Sequence, residues 1–168
     1  MNTKIQTRID GFKIRFAEEK DAAAIFSMVK ELAEYEKLLD SLKATEDLLR
    51  ESLFKRSVAE TVIGEYEGQP VGYAIFFHNF SSFVGRIGIY IEDLYVKPQL
   101  RGKGFGEAMF LYIAKLAVER NCGRLEWSCL NWNTPSIAFY QKMGAVPLDE
   151  WTTYRLTGET LTKIAIEF

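Results

Sequence analysis

Between Tyr90 and Arg120 the chain reads YIEDLYVKPQLRGKGFGEAMFLYIAKLAVER. Arg101, Gly102, Lys103, Gly104, Phe105, Gly106 and Glu107 lie together in it, cations and glycines interleaved. Glycine lets an anion approach the backbone without meeting a Cβ, and the first turn of a helix offers unpaired N–H groups and the positive end of a dipole. The chemistry to expect is the cradling of a phosphate or diphosphate; the plainer alternative is a left-handed turn that serves only the fold. Two familiar phosphate loops do not fit. A Walker loop needs Lys-Ser/Thr after its last glycine, where Glu107 stands. A dinucleotide fingerprint places its glycines after the first strand of a βαβ unit, whereas these come late in the chain.

The elements that must position this loop are legible around it. Ile89, Ile91, Leu94 and Val96 form a strand-like run that Pro98 should end. Phe105, Ala108, Met109, Tyr112, Ile113 and Leu116 recur at helical spacing, with Gly123 as the expected C-cap. Upstream, residues 1–11 read as a loose leader and 12–168 as one domain. Phe12, Ile14 and Phe16 alternate as a strand, and a helix opens over 17–21 with its apolar stripe running to Tyr35 and Glu36. Thr45 predicts a second N-cap. Strands are predicted over 59–66 and 71–78, a connector over 79–88, and a strand over 124–130. Asn133 predicts the N-cap of a further helix with Pro135 in its first turn, and strands are expected at 152–156 and 161–168. The order gives a mixed α/β fold, not an alternating doubly wound one.

Composition narrows the function classes. Of the 168 residues 48% are apolar, as in a globular domain, and the net charge of −2 argues against broad nucleic-acid binding. Cys122 and Cys129 are too few for a metal site and read as free thiols suited to a reducing cytosol. No signal peptide and no run of ~20 apolar residues is present, so the reading is a soluble cytoplasmic protein with no membrane partner. His78 is the single histidine and stands apart from the glycine loop, so no Ser/His/Asp or Cys/His triad is available for an acyl-enzyme.

The glycine stretch resembles the Q/R-x-x-G-x-G/A signature of the GCN5-related N-acetyltransferases (GNAT), in two overlapping frames from Gln99 and Arg101. The run NTPSIAFYQKMGA from Asn133 to Ala145 is similar to a second element of that family. KELAEYE (30–36), IEDLYV (91–96) and WNTPSIAFY (132–140) narrow the resemblance to the branch that acetylates spermidine, spermine and thialysine. The resemblance implies a mostly antiparallel mixed sheet whose strand before the glycine loop splays from the next, flanked by helices, with acetyl-CoA entering the gap.

Site roles follow from the resemblance. Leu94, Tyr95 and Val96 would bind the pantetheine, and residues Gly102 to Glu107, with Arg101 beside them, the diphosphate. Asn133, Thr134, Pro135 and Ser136 would flank the pantetheine end, and Tyr140 would be the general acid, although a Phe139-Tyr140 pair also packs helices onto sheets. Glu92, two positions before Leu94 and expected on the same strand face, would meet the amine; the plainer alternative is a solvated carboxylate. Asp93 is expected on the opposite face, as an ion-pair partner, although the resemblance implies an acid at this position too. Tyr35, Glu36, Glu126, Trp127 and Ser128 match substrate-contacting positions. One departure is Thr152, where a polyamine enzyme carries an acid, which weakens the case for long polyamines. The expected activity is direct acetyl transfer to a small cationic primary amine, polyamine or diamine first and thialysine second, by a homodimer without metal. A non-catalytic acyl-CoA sensor and a protein-modifying enzyme are the rivals.

Overall fold

The computed structural model describes residues 4–168. Residues up to Ser128 and residues 129–168 form two compact units. The first holds a six-stranded sheet in simple sequence order: β1 (Ile5–Gln6), β2 (Phe12–Phe16), β3 (Glu60–Tyr66), β4 (Gln69–Ser81), β5 (Arg86–Val96) and β6 (Leu125–Trp127). All pairs are antiparallel except β5 with β6. Part of the leader is therefore ordered as β1; residues 1–3 lie outside the described residues.

Helices cover both faces. On one, α1 (Ala22–Tyr35) and the segment α2 (Glu46–Arg50), which continues as a π-turn through Lys55, bring Ile25, Met28 and Leu53 onto Ile63, Tyr73, Ile75 and Tyr95. Thr45 caps α2 by accepting from the Leu48 amide at 3.2 Å. On the other face α3 (Phe105–Glu119) packs Phe105 flat on Phe12, ring centroids 4.2 Å apart, and sets Phe110 edge-on to Trp127. The entry to α1 is fixed by Arg15, buried on β2. Its guanidinium donates to both carboxylate oxygens of Asp21 at 2.7 and 2.9 Å and to Glu65 at 2.7 Å, a charge-paired arrangement that a buried arginine requires.

Several expected elements differ. The connector read over 79–88 shrinks to residues 82–85, because β4 and β5 continue as a long hairpin. The strand expected over 124–130 is β6 alone. Gly123 is not the C-cap of α3: Asn121 takes the left-handed conformation (φ 54°), and Gly123 instead passes close to the hairpin, where a Cβ would meet Val84 at 2.8 Å. In the second unit, α4 (Thr134–Lys142) begins as read, but 152–156 has no regular structure. Residues 161–168, read as a strand, fall in α5 (Gly158–Ile166) and the residues after it. The β-branched Thr162, Ile164 and Ile166 mislead; Leu161, Ile164, Ala165 and Phe168 follow i, i+3, i+4, i+7.

Candidate functional site

The glycine loop is a turn between β5 and α3. Gly102 (φ 78°) and Gly104 (φ 82°) take left-handed conformations that disfavour a Cβ, and Gly104 caps α3 with no side-chain hydrogen bond. The first amides of α3 thus have no side-chain cap competing for them, and open space lies over Gly102. Lys103 lies 5.2 Å above the Tyr66 ring. Beside the loop a groove of about 700 Å³ runs between residues 6–9 and α3, with Arg8, Lys103 and Lys115 against Glu107 on its walls. This amide array, left-handed turn and cation set fit a diphosphate.

Arg101 does more than flank the loop. Its Nε donates to the Val96 carbonyl at 3.1 Å, and its guanidinium lies 4.3 Å from the Tyr35 ring centroid and 5.8 Å from that of Tyr95. Tyr35 and Arg101, read separately as a substrate contact and a cofactor contact, form one cation–π stack joining the end of α1 to the loop.

β5 loses its parallel partner before it reaches the loop. The ladder between β5 and β6 covers Ile89–Leu125, Tyr90–Glu126 and Ile91–Trp127 and stops there. Leu94, Tyr95 and Val96 therefore run on without a β6 partner, leaving a strand edge for amide groups of a ligand. At the same level β4 and β5 slip register: Phe76 pairs with Ile91 and Ile75 with Asp93, so Glu92 is the extra residue of a bulge. Strict alternation does not hold across a bulge, so spacing from Leu94 does not fix the direction of Glu92. Glu92 is exposed, whereas Asp93 is half-buried and accepts a hydrogen bond from the Tyr73 hydroxyl at 3.0 Å.

Glu36, the C-cap of α1, belongs to the same electrostatic group. Burial raises its carboxyl above the ordinary range. Burial also raises Asp93, against the Tyr73 hydrogen bond and with added repulsion from Glu92 and Glu36, to about 6. Like-charged carboxylates held in partial burial favour a cation among them. Tyr73 is thus the member of this group that the sequence analysis does not assign, and Asp93 meets it through pairing across the sheet, for which the local sequence carries no signal.

The other expected substrate residues are engaged differently. Glu126 accepts from Asn79 at 2.7 Å and lies 2.8 Å from Arg124 Nε. Ser128 shares a 2.6 Å hydrogen bond with the Tyr90 hydroxyl, and Trp127 packs on Phe110. His78 lies 3.3 Å from Arg120, which pairs with Glu60. In the second unit, Asn133 is buried and its side-chain oxygen accepts from the Ser136 amide at 3.4 Å, so it caps α4 as read. Thr134 and Pro135 form the first turn, and Tyr140 lies two turns along, its ring edge-on to Phe139. Among the described residues no cluster of His, Cys, Asp and Glu is arranged to hold a metal ion, and no helix is long and apolar enough to cross a membrane.

The profile of the acetyltransferase (GNAT) family matches residues 24–145. The chain is 37% identical over 164 residues to the thialysine N-epsilon-acetyltransferase of Sus scrofa, covering 90% of this chain and 96% of that one. It is 34% identical over 161 residues to the protein of the same name from Caenorhabditis elegans, covering 93% and 98%. To the human spermidine/spermine N(1)-acetyltransferase-like protein 1 it is 32% identical over 173 residues, 96% of this chain and 25% of that protein. Among solved structures, an integron cassette protein from the mobile metagenome of V. cholerae superposes with a TM-score of 0.78 at 25% identity, covering 92% and 98%. The ribosomal-protein-alanine N-acetyltransferase of Brucella melitensis biovar Abortus superposes at 0.69 with 21% identity, covering 88% and 99%, a likeness of fold.

Proposed function

The chain belongs to the acetyltransferase (GNAT) family, and on that premise we propose that it transfers acetyl from acetyl-CoA to a primary amine of a small cationic acceptor, both bound at once. The observation that carries this is the coincidence of a strand edge without a β6 partner at Leu94–Val96 with a glycine-lined helix start that has no side-chain cap at residues 102–107.

Bound acetyl-CoA supplies the thioester and the departing thiol. The amides of residues 102–107 and Lys103 hold the diphosphate, with Arg101 bracing the loop. The backbone of Leu94, Tyr95 and Val96 orients the pantetheine and polarises the carbonyl. An alkylammonium, with a pKa of roughly 10, must lose a proton before it attacks; Glu92 receives it, directly or through water. By the family resemblance, Tyr140 would supply a proton to the departing sulfur, and Asn133 to Ser136 would line the pantetheine end. Glu36, Asp93 and Glu92 balance the charge of the acceptor.

Two acceptor classes answer this description. Carboxylates spaced along a cationic chain suit a diamine or polyamine. The names of the relatives aligned over nearly their full length favour thialysine about equally, and Thr152 weighs against the longest polyamines. Residues 12–168 would work as one catalytic domain, in the cytoplasm and as a homodimer, with no nucleic acid or membrane partner. A thiol-release assay with acetyl-CoA against diamines, spermidine, spermine, thialysine and lysine tests the reading: turnover with at least one cationic primary amine is expected. Tight acetyl-CoA binding with no acceptor turned over would refute it.

A further inference from the structure

Tyr73 lies mid-way along β4, fully buried, in the cluster of Ile25, Met28, Ile75 and Tyr95. A phenylalanine would fill that space. The hydroxyl adds a desolvation cost that must be met by a bond. That bond goes to Asp93 Oδ2, at 3.0 Å. The groups acting on the charge of Asp93 are this phenol from β4, Glu92 beside it on β5 and Glu36 from the end of α1. Further along the same face Tyr95 donates to Glu31, with Arg101 nearby. Among the described residues no lysine or arginine pairs with Asp93.

We propose that Tyr73 is a positioning residue of the amine site: its hydroxyl fixes the Asp93 carboxylate, in its ionised form, beside Glu36 and Glu92 as a ready counter-charge for the cationic acceptor. The inference rests on the cationic-amine reading above and deepens it. A donated hydrogen bond favours the charged form, while burial and two neighbouring carboxylates oppose it. Without the bond, Asp93 holds its proton to higher pH and its side chain loses its anchor. The hydroxyl thus sets both where the charge stands and whether it exists near neutrality.

The test compares wild type, Tyr73→Phe, Asp93→Asn and the double variant, with kcat and both KM values followed from about pH 5 to 9. Tyr73→Phe is expected to raise the amine KM roughly tenfold near neutral pH, to move the acid limb of kcat/KM for the amine upward, and to leave the acetyl-CoA KM unchanged. Added to Asp93→Asn it should do nothing further, since its value lies in the carboxylate. Equal rises in both KM values at every pH, or additive effects in the double variant, would reduce Tyr73 to a packing residue. Failure of wild type to acetylate any cationic amine refutes the acceptor reading instead. A carbon-13 NMR titration of Asp93 still decides the Tyr73 step in that case: an upward shift in Tyr73→Phe supports it and an unchanged titration overturns it.

Discussion

Glu92 owes its place to one residue too many. Because Phe76 pairs with Ile91 and Ile75 with Asp93, the β5 backbone arches at Glu92, and its exposed carboxylate stands between two ladder positions instead of in one. A group so placed is free to approach a ligand, unlike Glu126, whose carboxylate is already engaged by Asn79 and Arg124. Glu92→Gln should therefore lower kcat with cationic amines by about 10²-fold, the loss expected for a proton acceptor, with acetyl-CoA affinity retained. Glu126→Gln should cost far less. Calorimetric binding of acetyl-CoA alongside steady-state rates separates the outcomes; equal damage from both substitutions would remove Glu92 from the chemistry. Tyr140→Phe carries the parallel expectation for the proton given to sulfur: kcat falls while neither KM moves much.

At the scale of elements, the loop glycines do different work, and substitution distinguishes them. Gly104→Ala forces a Cβ into φ 82° and to 3.3 Å from Ile9 Cδ1, so the melting temperature should fall, at about 1–2 kcal/mol for the left-handed strain. Gly106 has an ordinary φ, and its Cβ would make only a 3.7 Å contact with Val96. Gly106→Ala should hold or raise the melting temperature as helix propensity improves. It should also raise the acetyl-CoA KM on the order of tenfold, by keeping the phosphates off the backbone. An unchanged KM would show that no ligand approaches there. The Tyr35–Arg101 stack gives a second element-level test. Tyr35→Leu should raise the acetyl-CoA KM by roughly 3- to 10-fold, as lost cation–π contact predicts, although Tyr35 sits on α1. A change confined to the amine KM would instead keep Tyr35 as a substrate contact only. These cases also mark what was legible in the sequence. The turn-and-helix signals at residues 101–116 and the capping Asn133 are local, so they read directly. The bulge at Glu92, the stack of Tyr35 on Arg101 and the Tyr73–Asp93 bond depend on pairing across the sheet, which a single strand's alternation does not encode. Residues 161–168 read as a strand yet fall in α5 and the residues after it, because β-branched residues at helical spacing satisfy both patterns.

For the whole molecule, the buried acids Asp21 and Glu65 and the half-buried acids Asp93 and Glu36 form two sets whose effects on stability have opposite signs. Asp21 and Glu65 are pushed up by burial, but hydrogen bonds from Arg15, and from Lys4 to Glu65, prevail and leave both below their ordinary values of 3.8 and 4.5. Their contribution is present above those values and is lost as pH falls through the lower folded ones. Asp93, raised from 3.8 to about 6, and Glu36, raised above 4.5, behave oppositely: ionising them in the folded protein costs more than in the unfolded chain. The contribution of Asp93 and Glu36 to stability therefore declines as pH rises from their ordinary values through the raised folded ones, about 6 for Asp93. Such a penalty accords with the cationic acceptor proposed above, since stability and charge complementarity compete at a site of that kind. Asp93→Asn removes the charge while its side-chain oxygen still accepts from Tyr73. It should stabilise the chain at pH 7 on the order of 2–3 kcal/mol, or roughly 5–10 °C, and flatten the decline between pH 5 and 7. Thermal melts of both proteins across that range check this. A wild-type melting temperature that rises from pH 5 to 7, or an Asp93→Asn variant that melts lower at pH 7, would mean that the Asp93 carboxylate is stabilised in the folded chain and not held there against its own solvation.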